Sequence, residues 1–160
     1  MKISIFFIVQ WIYNFGIVYE NKLFRSRAPS KSFIKYLKNF YGLKVIVDLR
    51  HPSSLKEKPL IAKEARWAKK LGLEYILIPA HSSNALEISE ILRDMLNNEK
   101  KTPILIHCQA GKDRTGVVAA FLRMHNGWTY EEAEKEMRQY GHNSQKHEVF
   151  HKQLQNFERK

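Results

Sequence analysis

Cysteine is almost missing from this 160-residue sequence: Cys108 is the only one. A disulfide framework within the chain is excluded, and a lone thiol fits a reducing compartment, so a cytoplasmic location is expected. Acidic residues are also few, 16 against 27 basic ones, which leaves a net charge of +11. Such a surface concentrates anionic substrates and speeds their encounter. Nucleic acid is not the expected partner, because the lysines are scattered along exposed helix faces rather than gathered into one arm or stripe. The densest set, Lys56, Lys58, Lys63, Lys69 and Lys70, is interleaved with Glu57 and Glu64 and reads as a solvated face. Long clean hydrophobic runs are missing too. The stretch from Ile3 to Val9 meets Gln10 and the bulky Trp11-Ile12-Tyr13 without a small-residue cleavage site, so no signal peptide is expected. Ile3 to Tyr19 includes Gln10, Asn14 and Gly16, which interrupts it too much for a membrane span. The segment reads as a buried strand and a turn, with membrane anchoring the lesser alternative. There is no repeat, low-complexity tract or linker, so residues 1–160 read as one domain.

What is present alternates between two periods. A helix is predicted from Ser30 or Ser32 to Tyr41, stopped by Gly42. Leu43 to Leu49 is a continuous apolar strand of the kind buried on both faces. Pro59 to Leu71 reads as a helix with Gly72 beyond its end, followed by a strand from Leu73 to Ile78. Asn84 and Glu87 form a capping pair for a third helix with Ile88, Ile91, Leu92, Met95 and Leu96 on one face. A strand over 102–107 and another helix follow. Thr129-Tyr130-Glu131-Glu132 is a capping box for a helix ending near Gly141, and a last helix covers Gln145 to Phe157. Alternating strands and helices predict an α/β fold, with a central, mostly parallel sheet flanked by helices on both faces. The strands before Ser30 are expected to pair antiparallel at one edge.

Between the strand over 102–107 and the helix opening at Thr115 lies His107-Cys108-Gln109-Ala110-Gly111-Lys112-Asp113-Arg114-Thr115-Gly116. A tight loop there turns backbone N–H groups of Gln109, Ala110, Gly111, Lys112, Asp113 and Arg114 around one point at a helix N-terminus, which suits a phosphate. A thiol in that position, near a cation, is activated toward the thiolate. Arg114 can clamp two phosphate oxygens with its planar fork, which lysine cannot. Gly111 leaves room where a Cβ would intrude. Thr115 is placed to donate its hydroxyl to the sulfur, and His107 to orient the loop. The chemistry expected is attack on phosphorus, a phosphocysteine, and hydrolysis by water. The alternative for Cys108 alone is a buried hydrophobe. An ATP-binding loop is excluded, because Asp113 follows Lys112 and no glycine sits five before Gly111.

HCQAGKDRTG resembles the signature loop of the cysteine-dependent protein tyrosine and dual-specificity phosphatase superfamily, in which a cysteine and an arginine frame five residues. Its KDRTG ending is similar to the compact bacterial and fungal atypical members and their lipid-phosphatase relatives. Asn14 to Val18, Leu23 to Ser26 with Pro29-Ser30, and Val45 to Arg50 resemble segments of that compact group, so the likeness spans residues 14–141. The resemblance implies a single phosphatase domain with Cys108 as nucleophile and Arg114 as phosphate clamp, needing neither cofactor nor metal. Its substrates would be phosphorylated proteins or small anionic phosphate esters such as inositol phosphates.

The resembled family usually places an acidic aspartate on the loop after the preceding strand. Here that loop is Ala80-His81-Ser82-Ser83-Asn84, without a carboxylate. Three substitutes remain: Asp113 in the signature loop, which is favoured, His81, or no acid at all. Asp48 and Arg50 end a strand on the same side as the loop. Asp48 as an acid is the lesser reading, and bonds to backbone or to Arg25 the better one. His147-Glu148-Val149-Phe150-His151 matches the zinc-peptidase pattern H-E-x-x-H, but no third ligand converges on it in the sequence. An RNA 5′-phosphatase of the same mechanism and a non-catalytic phosphate reader complete the alternatives.

Overall fold

Every residue of β3, Val45–Asp48, and of β5, Ile104–His107, is buried. Successive side chains on a strand face opposite sides, so a sheet containing these strands needs cover on both faces. The computed structural model, which describes residues 2–158, supplies it. Its sheet runs in the order β1-β2-β5-β3-β4. β1 is Gly16–Tyr19, β2 Leu23–Ser26 and β4 Glu74–Leu77. β1 pairs antiparallel with β2 at one edge, while all the other pairs are parallel. The expected α/β architecture and antiparallel edge are both observed.

The helices divide between the faces. Ile46 and Leu105 point to a core with Phe33, Ile34 and Leu37 of α2 (Lys31–Tyr41) and Ala68 of α3 (Lys58–Lys70). Val45, Val47, Ile104 and Ile106 point to the opposite core. There they meet Ile88 and Leu92 of α4 (Ala85–Leu96) and the buried α5 (Arg114–His125). Met137 of α6 (Tyr130–Gln139) and Leu154 of α7 (Glu148–Glu158) complete that side. β5 lies between β2 and β3, so the loop leaving its carboxyl end opens at the middle of the sheet, where ligands of such sheets bind.

Local signals decide several helix ends. Ser30 accepts the Phe33 N–H, and Gly42 closes α2 in the left-handed region at φ 69°. The Thr129–Glu132 capping box has both its bonds. Two expectations need correction. Asn84 precedes α4 but makes no side-chain cap bond: its amide accepts from the His81 N–H and donates to the Pro79 carbonyl, so the loop consumes it. The N-terminal segment is a helix, α1 (Lys2–Tyr13), and not a buried strand. A continuous apolar run does not by itself distinguish a buried strand from a helix, and this one, at 12 residues, has the length of a helix. Tyr13 stacks on Phe33 with ring centroids 3.9 Å apart, while Phe7, Ile8, Trp11 and Ile12 are exposed. No helix among the described residues is long and apolar enough to cross a membrane.

Candidate active site

The loop from Cys108 to Asp113 is held from outside by groups far away in sequence. Gly111 takes φ +69°, and a Cβ there would lie 2.6 Å from the Ser26 carbonyl and the Arg27 nitrogen. Only glycine lets the loop pack onto β2 in this way. Buried Arg25 donates to the Gly111 carbonyl at 3.0 Å and stacks under Tyr140, its guanidinium carbon 3.7 Å from the ring centroid. The Asn14 amide donates to the carbonyls of Gly111 and Tyr140 at 3.2 and 2.9 Å, joining loop to helix α6. These contacts hold the loop in place against β2 and the end of α6.

Cys108 is buried, and the backbone N–H of Gly111 points to its sulfur at 3.3 Å. The bond expected from Thr115 is not made: its Oγ1 is buried without a hydrogen-bond partner, and the loop backbone serves the sulfur instead. Within the loop, Gln109 lies beside an open groove lined also by Arg27 and Lys63. Ala110 and Lys112 are exposed.

Arg114 reaches from the start of α5 to Glu57, with N···O distances of 2.7 and 3.1 Å. Glu57 also accepts the His51 N–H at 2.8 Å. Arg114 holds Glu57 below the usual carboxylate range against the opposing effect of burial. Burial works against the Arg114 charge as well, but Glu57 and Cys108 outweigh it and raise its affinity for the proton. The bidentate bond uses the edge between the two terminal nitrogens, which leaves Nε–H and the outward N–H groups for an oxyanion. Glu57 and Glu64 were read as part of a solvated face; both turn inward instead. With Ile61 and Ala68 they follow the 4-3-4 spacing of a helix's buried side, and that signal is present in the sequence.

Beneath the loop sits a buried ionic network. Arg50 donates to both oxygens of Asp48 and, at 2.6 Å, to Glu64, while Tyr75 donates to Asp48. Asp48 is thus structural, and its partner is Arg50, not Arg25. Burial opposes its charge, but His107 and Arg50 hold it below the carboxylate range. Asp48, Glu64 and His107 have ligand atoms close enough to share a cation, but the Arg50 guanidinium already faces both carboxylates. His107 Nδ1 is 3.2 Å from the Cys108 carbonyl, and Nε2 is 2.7 Å from Glu64 in a charge contact short of hydrogen-bond alignment. Both facing atoms are acceptors, so both ring nitrogens carry protons. Burial alone would lower the affinity of His107 for its second proton; Glu64 and Asp48 raise it overall. A folded value above the unfolded one means that this stabilisation is complete below pH ~6.5 and is lost as the pH rises through the folded value. Thermal melts from pH 6 to 9 should show a decline in the wild type that His107→Gln lacks; parallel curves would remove the charge from His107.

Asp113 precedes α5, and both its oxygens face histidines: His142 Nδ1 at 2.6 Å and His147 Nε2 at 3.3 Å. His81 is exposed and bonded to Ser83. The two histidines of the H-E-x-x-H stretch do not converge. His147 turns to Asp113, His151 to His142 and Tyr130, and Glu148 pairs with Lys152 in solvent.

A family model described as the tyrosine phosphatase family matches residues 10–160. The dual specificity protein phosphatase TpbA of Pseudomonas aeruginosa is 27% identical over 122 residues, 74% of this chain and 51% of its own length. The inositol diphosphatase DSP3 of Arabidopsis thaliana is 32% identical over 120 residues, 72% of this chain and 56% of its own. This chain thus spans about half the length of the curated relatives it matches. Among solved structures, P. aeruginosa TpbA aligns with TM-score 0.68 at 19% identity over 93% of this chain and 92% of that one. The catalytic core of the PP-IP phosphatase SIW14 of S. cerevisiae aligns with TM-score 0.64 at 23% identity over 79% and 75%. At such identities these two structures speak for the fold alone.

Proposed function

The chain belongs to the tyrosine phosphatase family, and from that premise we propose that it is a single phosphatase domain hydrolysing phosphomonoesters through a phosphocysteine on Cys108. One observation carries the reading: the Cys108 sulfur lies in a loop whose Gly111 N–H points at it, with the Arg114 guanidinium held by Glu57 at the same loop. In this reading the sulfur attacks phosphorus and the ester oxygen departs. Arg114 and the loop N–H groups carry the charge spread over the equatorial oxygens. Water then displaces the phosphoryl group from sulfur.

Asp113 is the proposed acid, giving its proton to the leaving oxygen and taking one from water in the second step. Asp48, being fully buried and spent on Arg50, has no path to a substrate. Phosphoproteins and inositol phosphates are the proposed substrates. Curated relatives carry those two activities in their names, and the groove beside Gln109 presents Arg27 and Lys63 to further anionic groups. A reducing, cytoplasmic setting suits the lone thiol.

The leaving group provides the test. With para-nitrophenyl phosphate the departing oxygen hardly needs a proton, so Asp113→Asn should be mild. With an alkyl phosphate the same variant should lose on the order of 10²–10⁴ in rate, the range of general-acid help. His81→Gln, measured beside it, should do neither. Equal losses on both substrates would reduce Asp113 to a loop-shaping role, and a selective loss in the His81 variant would move the acid there.

A further inference from the structure

Asp113 is the first member of a hydrogen-bonded chain running away from the signature loop. His142 Nδ1 meets Asp113 at 2.6 Å, His142 Nε2 meets His151 Nε2 at 2.9 Å, and His151 Nδ1 meets the Tyr130 hydroxyl at 2.9 Å. His142 and His151 are 6% and 7% exposed, too little for water to substitute freely for either partner. The chain joins four places in the fold: the start of α5, the segment after α6, α7, and the start of α6 at Tyr130. It uses one histidine of the H-E-x-x-H stretch within the chain and the other, His147, on the second oxygen of Asp113.

Hydrogen-bond chemistry gives this chain a direction. An ionised carboxylate only accepts, so with Asp113 charged, His142 Nδ1 must donate to Oδ1; the same bond is kept when Asp113 carries on Oδ2 the proton it gives to the leaving oxygen. A neutral imidazole carries one proton, so His142 Nε2 then accepts, and His151 Nε2 must donate to it. His151 Nδ1 is left to accept from the Tyr130 O–H. Burial and the neighbouring His142, with smaller help from Arg138 and His147 and against Glu134, hold His151 below the ordinary imidazole range. It therefore keeps the single proton this direction requires. The other charged groups close by are already engaged or exposed. Glu134 pairs with Arg138 and accepts from Ser144, and the Lys112 stem lies over Gly141.

We propose that His142, with its tautomer fixed through His151 by Tyr130, is a positioning residue that orients the Asp113 carboxyl for proton transfer to the leaving oxygen. This inference rests on reading Asp113 as the acid. It makes the docking of α7 a condition for acid catalysis but not for attack by sulfur. Without the donor at Nδ1, the carboxyl loses its aim while the Cys108 loop keeps the Arg25, Asn14 and Glu57 contacts that shape it.

The experiment has two arms. Long-range proton–nitrogen spectra of the full chain at pH ~8, above the ordinary imidazole value of roughly 6.5, should show His142 protonated at Nδ1 and His151 at Nε2. The opposite tautomers would overturn the proposal whether or not the protein turns over any substrate. In the second arm, rates are followed across phosphate esters of increasing leaving-group basicity. His142→Ala should stay within about threefold of wild type on para-nitrophenyl phosphate and fall roughly 10–100-fold on alkyl phosphates, a share of the 10²–10⁴ available to an acid. His142→Asn, whose amide can donate from the Nδ1 position, should recover most of that loss. Equal losses on both esters, or no recovery with asparagine, would make His142 merely structural. If Asp113→Asn is selective and His142→Ala is not, the positioning role falls alone. If Asp113→Asn shows no selectivity, the acid assignment falls and takes the positioning role with it.

Discussion

Cys108→Ser should abolish turnover on every phosphoester tested, by a factor on the order of 10⁵–10⁶, the scale seen when a hydrolase loses its nucleophile. The serine oxygen occupies nearly the same space, and the Gly111 N–H still points at it. Phosphate and vanadate should therefore still bind, because the loop N–H groups and Arg114 do not depend on sulfur. A hydroxyl, however, is a weak nucleophile unless a base activates it, and the hydrogen-bond contact at Cys108 comes from a backbone donor, which cannot act as one. Calorimetric titration with vanadate, run beside the rate assay, separates the two effects. Substantial turnover by the serine variant would sink the covalent mechanism.

Arg114→Lys has the next largest expected effect. The guanidinium is bound by Glu57 along one edge, and in the proposed reaction its other edge would hold the transferring phosphoryl. An ammonium keeps the charge but offers a point rather than a fork, so it cannot hold both geometries. The loss in kcat should be about 10²–10³, as when one preorganised donor is removed from a charged transition state. Substrate binding should weaken less, because the loop N–H groups still meet the ground-state phosphate. A variant within threefold of wild type would mean that Arg114 is not at the reacting group.

The legible parts of this molecule are those written in short stretches of chain. The Thr129–Glu132 box, the Ser30 and Gly42 ends of α2 and the all-apolar β3 each depend on residues within a few positions of one another. The signature loop is legible for the same reason, since ten consecutive residues carry it. What holds the loop was not. Arg114 and Glu57 lie 57 positions apart, Asp113 and His142 29, and Arg25 and Gly111 86. Only the fold brings such pairs together: the spacing of Glu57 with Ile61, Glu64 and Ala68 marks it as inward-facing but does not name Arg114 as its partner. Asn84 misled in the opposite sense: a capping residue by type, it found better partners in its own loop. At α1 the sequence offers an apolar run without a period, and such a run does not distinguish strand from helix.

The central claim is that Cys108 carries the phosphoryl group between the two steps, and it can be tested on the protein directly. Wild-type enzyme mixed with a radiolabelled phosphoester, quenched within the first turnovers and digested, should yield label on the peptide containing Cys108, approaching one phosphoryl group per chain. The Cys108→Ser variant should yield none. Turnover without label on Cys108, or label recovered on one of the histidines, would contradict the account.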